Sequence, residues 1–207
     1  MIIKTLEVGP IMANCFIVGC EKTKSAVVID PGDEADRILL ELAESGLAVK
    51  YILNTHGHFD HVGANGRLKK ATGADILIHK GDAPMLPMLS SAAAAFGVKS
   101  ENSPPADRFI ADKDTITFGE ITLTVIHTPG HSPGGVAFVT DRTAFVGDTL
   151  FAGSIGRTDF PGGDFNTLIS SIKTKLFALE DDTKVYTGHG PATTIGREKR
   201  SNPFLAS

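Results

Sequence analysis

Apolar residues fall mostly into short runs cut by Gly, Pro and Asp, with a few longer stretches at helical spacing. Loose alternation over 2–8 predicts a strand; Gly9-Pro10 turns it and 15–18 returns as a second. The unbroken run Ala26-Val27-Val28-Ile29 predicts a third strand buried on both faces and ended by Asp30-Pro31-Gly32. Asp33 is placed to cap a helix running to Ser45, with Ile38, Leu39 and Leu42 on one face and Gly46 as its stop. Tyr51-Ile52-Leu53 predicts a buried strand, and 62–72 a helix closed by Gly73, so a strand-helix-strand unit leads into this region.

Residues 75–79 predict another strand. Pro84, Pro87, the run Ala92-Ala93-Ala94-Ala95 and Pro104-Pro105 predict short helices and an excursion loop over 80–105, overhanging the site beside it. Alternation over 115–118 and 121–126 predicts two or three short strands within 109–126, and 136–139 pairs with 143–146 around Asp141-Arg142. An amphipathic helix over 165–179, with Asp164 as its cap, precedes a last strand over 184–187. Hairpin-linked strands alternating with helical units predict an α/β fold, a mixed sheet covered by helices. Nothing resembles a linker, so residues 1–207 read as one domain.

Composition narrows the partners. The 207 residues carry a net charge of −4, with 42% hydrophobic and 21% charged residues, as in an ordinary globular chain. Arg197, Lys199 and Arg200 are too short a basic cluster for a nucleic-acid footprint, and no apolar run reaches membrane-spanning length. Glu7, Pro10 and Asn14 interrupt the apolar start, which argues against export and for a cytoplasmic location. Cys15 and Cys20 read as small buried apolar residues rather than a disulfide.

The chemistry concentrates in Thr55-His56-Gly57-His58-Phe59-Asp60-His61, on the turn after the strand 51–53. If strand alternation carried on through the turn, His56, His58 and Asp60 would point the same way, with His61 approaching from the start of the helix. Three later strands end alike, each in a Gly-bounded ligand-type residue: His131 after Thr128-Pro129-Gly130, Asp148 after Gly147, and His189 between Gly188 and Gly190. Five imidazoles and two carboxylates exceed one tetrahedral site and fit two metals sharing a bridging carboxylate. Donors without thiolate suit zinc, iron or manganese. His79 and His127 sit in strand-like surroundings and read as packing residues.

The T-H-x-H-x-D-H stretch, followed by single His, Asp and His residues in this order, resembles the metallo-β-lactamase fold hydrolases over nearly the whole chain. The resemblance implies a four-layer αββα sandwich with the metals at the edge between two mixed sheets. It assigns His56, His58 and His131 to a first ion, Asp60, His61 and His189 to a second, and Asp148 to a bridge. Thr128-Pro129-Gly130-His131-Ser132-Pro133-Gly134, Gly156-Arg157-Thr158-Asp159-Phe160, Gly188-His189-Gly190-Pro191 and Arg200-Ser201-Asn202-Pro203-Phe204 are similar to the compact glyoxalase II-like, or hydroxyacylglutathione hydrolase-like, proteins. That implies two divalent ions, zinc foremost, and hydrolysis of S-lactoylglutathione or a related thioester by a metal-bridging hydroxide that Asp60 orients. Arg157 would meet a glutathione carboxylate. The C-terminal helical domain of full-length glyoxalase II is not expected in this chain. No cysteine lies near the ligands, which sets antibiotic hydrolysis aside. A persulfide dioxygenase, with one iron on His56, His131 and Asp148, is the alternative of the same fold.

Overall fold

The computed structural model describes residues 1–205. The first sheet holds β1 (Ile2–Val8), β2 (Ala13–Gly19), β3 (Ser25–Ile29), β4 (Ala48–Leu53), β5 (Asp75–His79) and β6 (Arg108–Ile110) in chain order. β1, β2 and β3 pair antiparallel, whereas β3 to β6 run parallel. The second sheet begins with the antiparallel series β7 (Thr115–Phe118), β8 (Ile121–His127), β9 (Val136–Thr140) and β10 (Thr143–Phe145). After a separate hairpin of β11 (Leu150–Phe151) and β12 (Ser154–Ile155), β13 (Lys184–Tyr186) joins β10 in parallel and β14 (Thr193–Thr194) closes the edge. The helices are α1 (Ala35–Glu44), α2 (Phe59–Val62), α3 (Asn65–Thr72), α4 (Leu89–Ala94), α5 (Phe165–Thr174) and α6 (Ile195–Ser201).

Strand alternation sorts the apolar side chains into three layers. Phe16, Val27, Ile29 and Leu53 meet Phe118, Val125, Phe138 and Phe145 between the sheets. The opposite faces of β2 to β5 present Ile17, Val28, Ile52 and Ile76 to Ile38 and Leu42 of α1 and Leu68 of α3. Ala137, Val139, Ala144 and Val185 meet Leu168 and Ile172 of α5 and Ile195 of α6 on the far side. The result is a four-layer αββα sandwich of two mixed sheets. β2 and β3 have no wet face, which explains their nearly unbroken hydrophobic runs. Cys15 and Cys20 are buried free thiols within this packing.

Local departures from the sequence pattern have physical causes. The N-cap of α1 is Glu34, in the left-handed region at φ 52°, and not Asp33. Asp33 Oδ1 instead accepts from the Glu34 amide at 2.6 Å and shapes the turn before the helix. The helix predicted over 62–72 is two helices: α2 already contains His61, and the chain breaks at Gly63 before α3. A side chain at Gly63 would collide with the Gly32 carbonyl, and the Ala64 amide donates to Pro31 at 2.9 Å, so the break docks onto the β3–α1 loop. Asp164 does cap α5, accepting from the Thr167 amide at 2.7 Å. That helix stops at Thr174, and a tight 3₁₀ turn, Leu176–Ala178, completes the predicted segment.

Candidate metal centre

The carboxyl ends of β3, β4 and β5 share one edge of the first sheet, and those of β8, β10 and β13 share the facing edge of the second. His56, His58, His131, Asp148 and His189 lie on the segments leaving β4, β8, β10 and β13, and Asp60 and His61 stand in α2, which follows β4. The His189 loop is clamped from β2: Asn14 Nδ2 donates to the carbonyls of Thr187 and Gly190, both at 2.9 Å, and the Asn14 amide donates to Gly188 at 2.7 Å. Gly188 must be glycine on steric grounds, because a side chain there would strike Asp148 Oδ1.

Two trios form. His56, His58 and His131 are one; Asp60, His61 and His189 are the other. His58 Nδ1 faces His131 Nε2 at 3.0 Å, and His61 Nε2 faces His189 Nε2 at 3.2 Å. Asp60 Oδ2 lies 3.4 Å from His189 Nε2. Asp148 reaches both trios, with Oδ1 3.4 Å from His61 Nε2 and Oδ2 3.6 Å from His131 Nε2. His56, His58 and Asp60 therefore do not share one direction. The pleat ends at Leu53, and the turn into α2 sends His56 and His58 to one trio and Asp60 to the other.

The outer nitrogens are fixed. His131 Nδ1 donates to the Arg157 carbonyl at 2.8 Å. His61 Nδ1 donates to Asp30 Oδ2 at 3.2 Å, and His56 Nδ1 to Thr55 Oγ1 at 3.0 Å. Thr55 in turn donates to Asp30 from its hydroxyl at 2.6 Å and from its amide at 2.7 Å. These bonds place the protons on Nδ1 and leave Nε2 of all three rings facing inward, as metal-binding imidazoles require. Asp30, His56 and His61 also lie close enough to form a third grouping. Asp30, however, meets His61 at Nδ1, the outer side, so it orients the ring. In the sequence Asp30 reads only as a strand breaker, and a lone carboxylate after a fully apolar run is its one signal.

Charge divides along the same line. Burial pushes His56 well below its ordinary pKa, and its imidazole neighbours add to that. Burial, then His131, lowers His58 to about 4. Burial also opposes a charge on His61, but Asp148, Asp60 and Asp30 outweigh it and raise that ring to about 10. Asp60 is lowered: burial works against its charge, and His61 and His189 overcome it. Without a cation, protons would have to hold these facing donors together. Among the described residues, two buried side-chain atoms make no hydrogen bond, His56 Nε2 and Asp148 Oδ1. An imidazole lone pair and a carboxylate oxygen without hydrogen bonds are what divalent ions would satisfy.

A family model described as the metallo-beta-lactamase superfamily matches residues 8–189. The chain belongs to the metallo-β-lactamase superfamily. Among curated relatives of this superfamily, hydroxyacylglutathione hydrolase GloC of Haemophilus influenzae is 44% identical, with 98% of each chain covered. Solved structures include BLEG-1, described as a B3 metallo-beta-lactamase, at 38% identity, TM-score 0.93 and full coverage of both chains. TTHA1623 in a di-iron-bound form follows at 40% identity and TM-score 0.90, covering 98% of this chain and all of that one. ETHE1 from Myxococcus xanthus is 32% identical at TM-score 0.83, covering 98% of this chain and 84% of that one.

Around the superfamily centre, the excursion loop comes close as expected. Phe96, just after α4, packs on Phe59 at 5.5 Å and on Phe160 at 6.1 Å, and Phe160 stands edge-on to His58 at 5.6 Å. Arg157 lies over the Phe160 ring at 3.8 Å, with Nε and Nη2 paired to Asp159 at 2.7 and 2.6 Å. His79 and His127 join neither trio; they stack on each other at 4.2 Å. Among the described residues, no helix is long and apolar enough to cross a membrane.

Proposed function

We propose that this chain is a cytoplasmic metal-dependent thioester hydrolase that acts on S-lactoylglutathione or a related hydroxyacylglutathione, with residues 1–207 forming one domain. The observation that carries the reading is the pair of donor trios bridged by Asp148, in a chain similar over 98% of its length to a hydroxyacylglutathione hydrolase. His56, His58 and His131 would hold one ion, Asp60, His61 and His189 the other, and Asp148 both. When bound, two divalent ions, zinc foremost and iron or manganese as alternatives, supply an activated water and Lewis acidity at the thioester carbonyl. The chain fixes the donors by the outer bonds from Asp30, Thr55 and the Arg157 carbonyl. Asp60 would orient the attacking water. Phe160 and Phe96 form an apolar wall beside His58. The likeness to ETHE1 favours a second reading, a persulfide dioxygenase with one iron on His56, His131 and Asp148.

Arg157 carries the glutathione part of the proposal. Its pair with Asp159 is solvent-exposed, so exchanging that carboxylate for one on the substrate costs little. A charge-assisted bond contributes about 1.5–3 kcal/mol. Arg157→Ala should then lower kcat/KM on S-lactoylglutathione roughly ten- to hundred-fold, leaving a small neutral thioester nearly unaffected. Steady-state kinetics on both substrates tests this. Equal losses on the two would assign Arg157 to structure and remove the support for a glutathione carrier.

A further inference from the structure

Asp82 follows β5, is fully buried and lies outside both donor trios. Its Oδ2 accepts from the Gly57 amide at 3.0 Å and the Ser132 hydroxyl at 2.7 Å, and its Oδ1 from the Gly134 amide at 2.5 Å. Gly57 separates His56 from His58, and Ser132 adjoins His131. The first loop leaves one sheet and the second leaves the other. One carboxylate thus ties together, across the two sheets, both loops that carry the first trio. Its own turn is fixed by the Asp82 amide donating to His79 at 3.1 Å. The fit is close: a side chain at Gly134 would lie 2.6 Å from the Asp82 amide nitrogen.

His56 and His131 each have an outer hydrogen bond, to Thr55 and to the Arg157 carbonyl. His58 has none among the described residues beyond its contact with His131, so the backbone of its loop must hold it. The neighbouring backbone anchor is Gly57 on Asp82. We infer that Asp82 is a positioning residue that presets the first metal site, fixing His56 and His58 against His131 without touching the ion. The inference rests on the reading of that trio as a metal site. Asp30 holds His61 of the other trio directly and reaches His56 through Thr55.

The test is calorimetric titration of the metal-free full chain with zinc, for wild type, Asp82→Asn, Ser132→Ala and Glu198→Gln. Asparagine keeps the shape but turns a donor toward at least one of the three donors now bonded to Asp82. Wild type should show two binding steps. Asp82→Asn should weaken one of them roughly ten- to hundred-fold and spare the other, the range typical of groups that orient metal ligands. Ser132→Ala, which loses one of the three bonds, should weaken the same step less. Glu198 is an equally buried carboxylate that ties Thr193, Asn202 and Gly153 together away from both trios. Glu198→Gln controls for general destabilisation and should lower the melting temperature with both steps intact. Unchanged steps in Asp82→Asn beside a two-step wild type would overturn the inference alone. So would losses that track melting temperature equally in the Asp82 and Glu198 variants. A wild type that takes up no zinc would overturn the metal-site reading and the inference with it.

Discussion

Asp148→Ala is expected to lower kcat/KM for thioester hydrolysis roughly a thousand- to ten-thousand-fold, the equivalent of about 4–6 kcal/mol of lost transition-state stabilisation. The carboxylate stands 3.4 Å from His61 Nε2 and 3.6 Å from His131 Nε2, so it is the one side chain shared by the two trios. Its removal leaves five imidazoles converging with a single carboxylate, Asp60, which sits on one side only. The bound metal should fall from close to two ions per chain to below one. His61→Ala removes a donor from one trio alone and should keep about one ion, with a smaller loss of rate. Elemental analysis of both variants beside their kinetics checks the ranking. Equal metal loss in the two would remove the bridging role from Asp148.

Asp30→Asn should cost both stability and metal. Asp30 is fully buried at φ 52°, and its two oxygens take three bonds, two from Thr55 and one from His61 Nδ1. Asparagine tolerates the left-handed backbone as aspartate does, so the substitution isolates the change in hydrogen bonding. Its amide group must oppose one of the three donors. An unsatisfied buried donor costs about 1–3 kcal/mol, which lowers the melting temperature of a chain this size by roughly 2–12 °C. The second trio loses the bond that holds His61 with Nε2 inward, so zinc affinity there should fall about ten- to hundred-fold. Thermal melts with and without zinc separate the two effects. A metal-free melting temperature and a zinc affinity both equal to wild type would show that Thr55 and His61 are held by other means.

Much of the fold was legible because its strands are either fully buried or cleanly alternating. The run 26–29 and the alternation at 115–118 became β3 and β7 as read, and the caps at Asp164 and Gly73 stand where their residue types belong. β11 and β12 have two residues each, too few to show a period, and α6 has one apolar residue at its start and then polar ones. The donor residues were legible as strand-end repeats. Their grouping was not, since the turn after Leu53 abandons the pleat and sends neighbours to different trios. Asp30 and Asp82 were invisible as organisers for another reason. Their partners lie 25 and 31 residues away for Asp30, and 25, 50 and 52 for Asp82. Only the folded sheet edges bring them together, and in the sequence each is simply an Asp after an apolar run.

Hydrolysis at a centre for two ions makes metal uptake and thioester cleavage rise together. The most direct test loads the metal-free chain with increasing zinc or iron under argon, and follows bound metal and S-lactoylglutathione cleavage together. Cleavage should grow as uptake approaches two ions per chain, and admitting air should change nothing, because the added oxygen atom comes from water. A chain that stops at one iron, leaves the thioester intact and consumes oxygen with glutathione persulfide would contradict it.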